Sequence, residues 1–297
     1  MLLQGGTIDV QVFIPIPISM GFAVTGRTLS LNNLRGKSRQ MLSSPIFFMH
    51  IAKTAGSYVN EVFRTSCGDG AVILHAESKI GSGQDLNCAL EDGKVFISGH
   101  IMYGLWCQIQ KPEANFYKFT VVRDPIEHIV SHILWLDHYN LPQLHNEFKR
   151  LDEQHRRMVE LIGQTDLNDP RMLDDLITNL PAIGIRLLDN CQARYFLPML
   201  QRGVSAVSPL SLACVPQLRK SMSEFNAILR QDAIIEGLAE VSKDIGFDLV
   251  TSDERVNEAK SPRTINFQNP LIRHILGKRT TVDQWLWRHL SRPRTWK

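Results

Sequence analysis

A short apolar run, Ile46-Phe47-Phe48-Met49-His50-Ile51, has counterparts at Ala71 to His75, Val95 to Ser98, Phe116 to Val122 and Ala233 to Leu238. Runs of this length without polar alternation suit strands covered on both faces, as in a parallel sheet. Stretches with helical spacing separate them, and alternating β and α units are the economical fold for such a chain. We therefore expect an α/β protein with a parallel central sheet flanked by helices. A chain of 297 residues, 43% of them hydrophobic, can bury the core this needs, as one large domain or two small ones. Disorder, a collagen-like repeat and a minimal disulfide scaffold are excluded by the same numbers.

The best-marked helix follows Val122. Asp124 is placed to cap it, Pro125 takes its first position and Glu127 adds an acid to its first turn. Ile126, Ile129, Val130, Ile133 and Leu134 make a core-facing stripe, with Ser131 off it. From Leu141 to about Arg230 the pattern is mostly helical and richer in charge, which predicts a helical insert over 141–230. Residues 1–44 mix Gly, Pro, Ser and Asn with short apolar pieces and no sustained period, the mark of an N-terminal extension.

The formal charge, 33 Lys and Arg against 30 Asp and Glu, is only +3 and names no partner. Its distribution is uneven: Lys260 to Lys297 holds nine basic residues and one acid, Asp283. Such a segment suits an anionic cofactor or polymer, or is a solvated tail. Cys67, Cys88, Cys107, Cys191 and Cys214 are never closer than 19 positions, which excludes a CxxC pair and a cysteine zinc clamp and favours a reducing compartment. The apolar stretch Val10 to Val24 is broken by Pro15 and Pro17 and has no basic leader, so neither a membrane span nor a secretory signal is expected. The expected location is the cytoplasm, or the Golgi lumen if the chain is a trimmed piece of a eukaryotic protein. No nucleic-acid partner is expected, and the oligomeric state is not legible.

The chemistry gathers at two strand ends. Ile51-Ala52-Lys53-Thr54-Ala55-Gly56-Ser57-Tyr58 passes from a strand to a helical pattern, where small residues let backbone N–H groups approach an anion and Lys53 adds a full charge. The Thr54 and Ser57 hydroxyls are further donors. The turn lacks the glycine that a Walker A loop carries five residues before its Gly-Lys-Ser/Thr. An ordinary strand-to-helix turn with a surface lysine reads the same way on pattern alone. At the second strand end, Val121-Val122-Arg123-Asp124-Pro125, Ser131 follows Arg123 by eight residues, about two helical turns. Both side chains can then reach one anionic group.

His50 to Ser57 resembles the 5′-phosphosulfate loop, H-I-P-K-T-A-G-T/S, of carbohydrate sulfotransferases that use 3′-phosphoadenosine-5′-phosphosulfate (PAPS). Val122 to Pro125 with Ser131 resembles their 3′-phosphate element. Ser98 to Gly104 is similar to the Gly-His segment of the heparan-sulfate 2-O-type and related bacterial enzymes, Asn190 to Tyr195 to their N-x-Q-T-R-Y stretch, Ile235 to Glu240 to a late G-L-T-E strand end, and Val282 to Trp287 to a closing D-x-x-L-Y helix. The departures are Ala52 for Pro, Tyr58 for Ser or Thr, and Ala193 and Ala239 for Thr.

The resemblance implies a P-loop-like sheet, a sulfotransferase domain over 45–297, and transfer of the sulfuryl group of PAPS to a carbohydrate or glycan hydroxyl, with PAP as product and no metal. It implies His100 as general base and Lys53 as stabiliser of the leaving phosphate. Lys53, Thr54, Ala55, Gly56, Ser57, Tyr58, Arg123 and Ser131 would hold the nucleotide. His50 is expected inside its strand, in a structural role. His128 and His132 have the spacing of a helical metal pair, with no third ligand evident. Two alternatives stay open: a P-loop-like kinase, and a module that binds the nucleotide or an anionic glycan without turnover.

Overall fold

The computed structural model describes residues 44–81, 93–110, 115–197, 208–251 and 261–290. The expected N-terminal extension lies outside the described residues, Ser44 excepted. Five strands form one sheet: β1 (Ile46–Met49), β2 (Val72–Ile73), β3 (Phe96–Gly99), β4 (Tyr117–Val122) and β5 (Ala227–Arg230). All neighbours run parallel, in the order β2-β3-β1-β4-β5. Among the described residues the helices are α1 (Gly56–Cys67), α2 (Ala76–Gly81), α3 (Tyr103–Ile109), α4 (Pro125–His138), α5 (His145–Arg150), α6 (Glu153–Gln164), α7 (Pro170–Thr178), α8 (Ala182–Leu188), α9 (Cys191–Phe196), α10 (Val215–Met222), α11 (Ile234–Ile245), α12 (Pro270–Gly277) and α13 (Thr281–Arg288).

Both faces of β1 are covered, which is why its run is apolar throughout. Phe47 and Met49 enter one core with Trp106, Tyr195, Met222 and Leu286, contributed by α3, α9, α10 and α13. Ile46 and Phe48 enter a second with Val59, Phe63, Leu238 and Val241, from α1 and α11. A third core packs α4 against α6, α7, α8 and α12. The expected cap of α4 is present: the Asp124 carboxylate accepts from the N–H groups of Ile126 and Glu127 at 3.0 and 3.1 Å.

One expected strand is corrected. Ala233 to Leu238 opens α11, and the fifth strand is Ala227–Arg230. Ile234, Leu238, Val241 and Ile245 recur at helical intervals, and the last three are buried. Gly237 sits where a Cβ would lie 3.1 Å from Leu229, so the helix packs close on β5. The segment likened to a late strand end therefore lies in a helix. The helices of the insert end at Met222, short of the expected Arg230. Among the described residues no helix is long and apolar enough to cross a membrane.

The chain leaves β1 through α1 towards β2 on one side of the sheet order. It leaves β4 through α4 towards β5 on the other. Connections that diverge in this way open a crevice at the carboxyl ends of β1 and β4, the place where parallel α/β sheets bind ligands.

Candidate functional site

The turn between β1 and α1 lies at that crevice. Lys53 and Ala55 have φ of 67° and 72°, left-handed values that cost a non-glycine residue about 1–3 kcal/mol each. Among the described residues, the N–H groups of Thr54, Ala55, Gly56 and Ser57 have no backbone acceptor. Alternating handedness with unsatisfied amides ahead of a 12-residue helix is the form of an anion nest. The helix dipole adds to it. Thr54 holds the turn from within, since its fully buried hydroxyl donates to the Ile51 carbonyl at 2.8 Å. That hydroxyl donates inside the fold, and the Thr54 N–H is the group it leaves towards the nest. Tyr58 is also turned inward, into the second core beside Phe48 and Val59. Ser57 stays half-buried in the first turn of α1.

Lys53 projects beside the Trp135 ring, with Nζ 6.0 Å from its centroid. Burial, and then the charge of Arg123, bring its pKa down to about 8. Arg123 begins the turn after β4, next to β1, and donates through Nε and Nη2 to the Glu127 carboxylate at 3.3 Å. Its three other N–H donors lie beyond those two bonds. Ser131 is half-buried on α4, off the apolar stripe as expected.

The strand register settles the third member. Met49 pairs with Gly99, so the next residues, His50 and His100, emerge side by side with ring centroids 4.1 Å apart. His50 thus follows the strand rather than lying within it, and its N–H donates to the Gly99 carbonyl at 3.0 Å. Its ring occupies the space a Gly56 side chain would need: a Cβ there would meet His50 Cδ2 and Nε2 at 1.9 Å. His100 Nδ1 is 2.8 Å from the His50 carbonyl oxygen. A carbonyl only accepts, so the proton of a neutral His100 sits on Nδ1 and Nε2 carries the lone pair. Burial moves its pKa below the ordinary histidine value, partly opposed by the charge of Glu77.

Residues the sequence left unassigned support this geometry. Gln192 clamps the end of β4, its Oε1 accepting from the Arg123 N–H at 2.7 Å and its Nε2 donating to the Arg123 carbonyl at 3.0 Å. Asn190 and Asp283 cap each other's helices. Asn190 Oδ1 accepts from the N–H groups of Val282 and Asp283, and the Asp283 carboxylate from those of Gln192 and Ala193. Trp285 and Trp287 pack under the guanidinium groups of Arg219 and Arg230, at 5.2 and 3.8 Å. The open side of Gly99 is filled by Glu77, whose Oε2 would be 2.5 Å from a Cβ there.

The fold also supplies the third residue that the His128 and His132 spacing lacked. Cys191 joins them in a buried group whose ligand atoms lie within 4.8 Å of one another. Tetrahedral zinc bonds would set its ligands about 3.5 Å apart. His128 Nε2 donates to the Ala52 carbonyl at 2.8 Å, and the charge of Lys53 bears on both imidazoles. His128 thereby ties α4 to the turn that carries Lys53.

Fold and site together define a parallel α/β protein with polar and charged side chains at the carboxyl ends of three adjacent strands, β3, β1 and β4. No protein-family model matches the chain, and no curated protein matches it.

Proposed function

We propose that the protein is a PAPS-dependent sulfotransferase acting on a hydroxyl of a carbohydrate or glycan. The observation that carries this reading is the convergence of the Lys53 turn, Arg123 and His100 at neighbouring strand ends, two of them around the crevice between β1 and β4. A nest with a half-buried ammonium suits the phosphosulfate end of the nucleotide, and a second cation one strand over suits its 3′-phosphate. The P-loop-like reading of the sheet rests on the same strand-end turn and on its resemblance to the sulfotransferase loop.

The roles follow from the chemistry of an in-line transfer. Nε2 of His100 accepts the proton of the acceptor hydroxyl as its oxygen bonds to sulfur. The bond from sulfur to the bridging oxygen breaks, and the electron pair stays with the phosphate of the departing PAP. Lys53 and the amides of Thr54 to Ser57 stabilise the charge that grows there. Arg123 and Ser131 hold the 3′-phosphate, which does not change during the reaction.

The test is transfer of labelled sulfate from PAPS to a panel of carbohydrate acceptors. Transfer supports the proposal. Consumption of ATP without use of PAPS supports a kinase, and PAP binding without transfer to any acceptor supports a binding module.

A further inference from the structure

Glu77 is a buried acid beside the end of β3: it lies in the first turn of α2 and is 5% exposed. Its Oε2 accepts from the backbone N–H of His100 at 2.9 Å, across 23 positions of sequence. Its Oε1 stands 3.5 Å from Nδ1 of the exposed His75. Gly99 leaves room for this carboxylate, as any side chain there would collide with it. His50, on the other side, lies against the His100 ring at a tilt of 31°, and its backbone carbonyl accepts the Nδ1–H. The imidazole is therefore fixed through its backbone by Glu77 and through its ring by His50.

We propose that Glu77 is the positioning residue of His100: it pins the strand end that carries the imidazole and supplies the negative charge against which the imidazolium forms. The proposal rests on the sulfotransferase reading for its chemistry, because only proton transfer to His100 calls for such a charge. Among the described residues, the titratable groups facing His100 are His50 at the end of β1, His75 and Glu77 beside β3, and His132 on α4. Glu77 is the one acid among them. A buried acid beside a catalytic imidazole stabilises its protonated form without itself taking the proton.

Glu77→Gln separates charge from geometry, since the amide oxygen still accepts from the His100 N–H. The variant is expected to titrate His100 at lower pH than the wild type, read by histidine NMR. It is also expected to lose about 10- to 100-fold in turnover, part of what a positioned base supplies, with KM for PAPS unchanged. Gly99→Ala, which displaces the same carboxylate, is the second variant and moves the titration in the same direction. Unchanged His100 titration in both folded variants overturns the proposal, as does wild-type turnover in Glu77→Gln. A shifted titration in a protein that transfers no sulfate from PAPS upholds the Glu77–His100 coupling and removes the sulfotransferase reading.

Discussion

Gly56→Ala tests the architecture of the site most directly. The added Cβ would stand 1.9 Å from His50 Cδ2 and Nε2. Non-bonded carbons rest about 3.5 Å apart or more, so one group must retreat by about 1.6 Å. His50 is 7% exposed and lies between the rings of His100 and Phe48, at 4.1 and 5.7 Å, which leaves it little room to yield. Overpacking of this kind costs about 1–3 kcal/mol. If the turn yields instead, a shift of this size at the nest costs on the order of 100-fold in turnover. Urea unfolding measures the first effect and sulfate transfer the second. Gly70→Ala, with nothing within 4 Å of its Cβ, is the control and stays within about 0.5 kcal/mol of wild type. Adding His50→Ala to Gly56→Ala removes the clash, so the double variant is more stable than the sum of the two single changes. A Gly56→Ala protein with wild-type stability and turnover refutes the argument.

Lys53→Ala is expected to lose 100-fold or more in turnover, whereas Arg123→Ala raises the Kd for PAP, because only Lys53 acts on charge that grows in the transition state; steady-state kinetics and calorimetry separate them. His100→Ala loses about 100- to 10,000-fold in turnover while still binding PAP, as measured by single-turnover transfer. The pH profile of the wild type is a bell. Activity falls on the acid side as His100 takes up a proton, below the usual histidine range because burial lowers its pKa. It falls on the alkaline side as unliganded Lys53 loses its proton near pH 8, so the profile of kcat/KM for PAPS reads both limbs. Asp124→Ala removes the cap of α4 and costs about 1 kcal/mol in urea unfolding, with no change in where the pH limbs fall.

The sequence by itself determined the class of fold, because interior strands of a parallel sheet are covered on both faces, and the run at β1 is apolar throughout while those at β3 and β4 are mostly so. It located the turn at Lys53, the cap at Asp124 and the strand-end position of His100, since each depends on residues adjacent in the chain. It misplaced β5, because a four-residue strand and the apolar start of an amphipathic helix have the same composition over so short a window. Strand order and register were decided only in three dimensions. They set β1 between β3 and β4, and thereby bring His50, His100, Lys53 and Arg123 together. Side-chain direction was also decided there: Thr54 and Tyr58 turn inward because the core beneath the turn takes them, and Cys191 meets His128 and His132 through helix packing. Glu77 carries no local signal, and Gln192 stands only within a motif that assigns it no partner; they lie 23 and 69 positions from the backbone groups they hold. Local pattern reports what a residue needs from its neighbours in the chain, and a site built from three strand ends and the helices packed on them depends on neighbours that only tertiary packing provides.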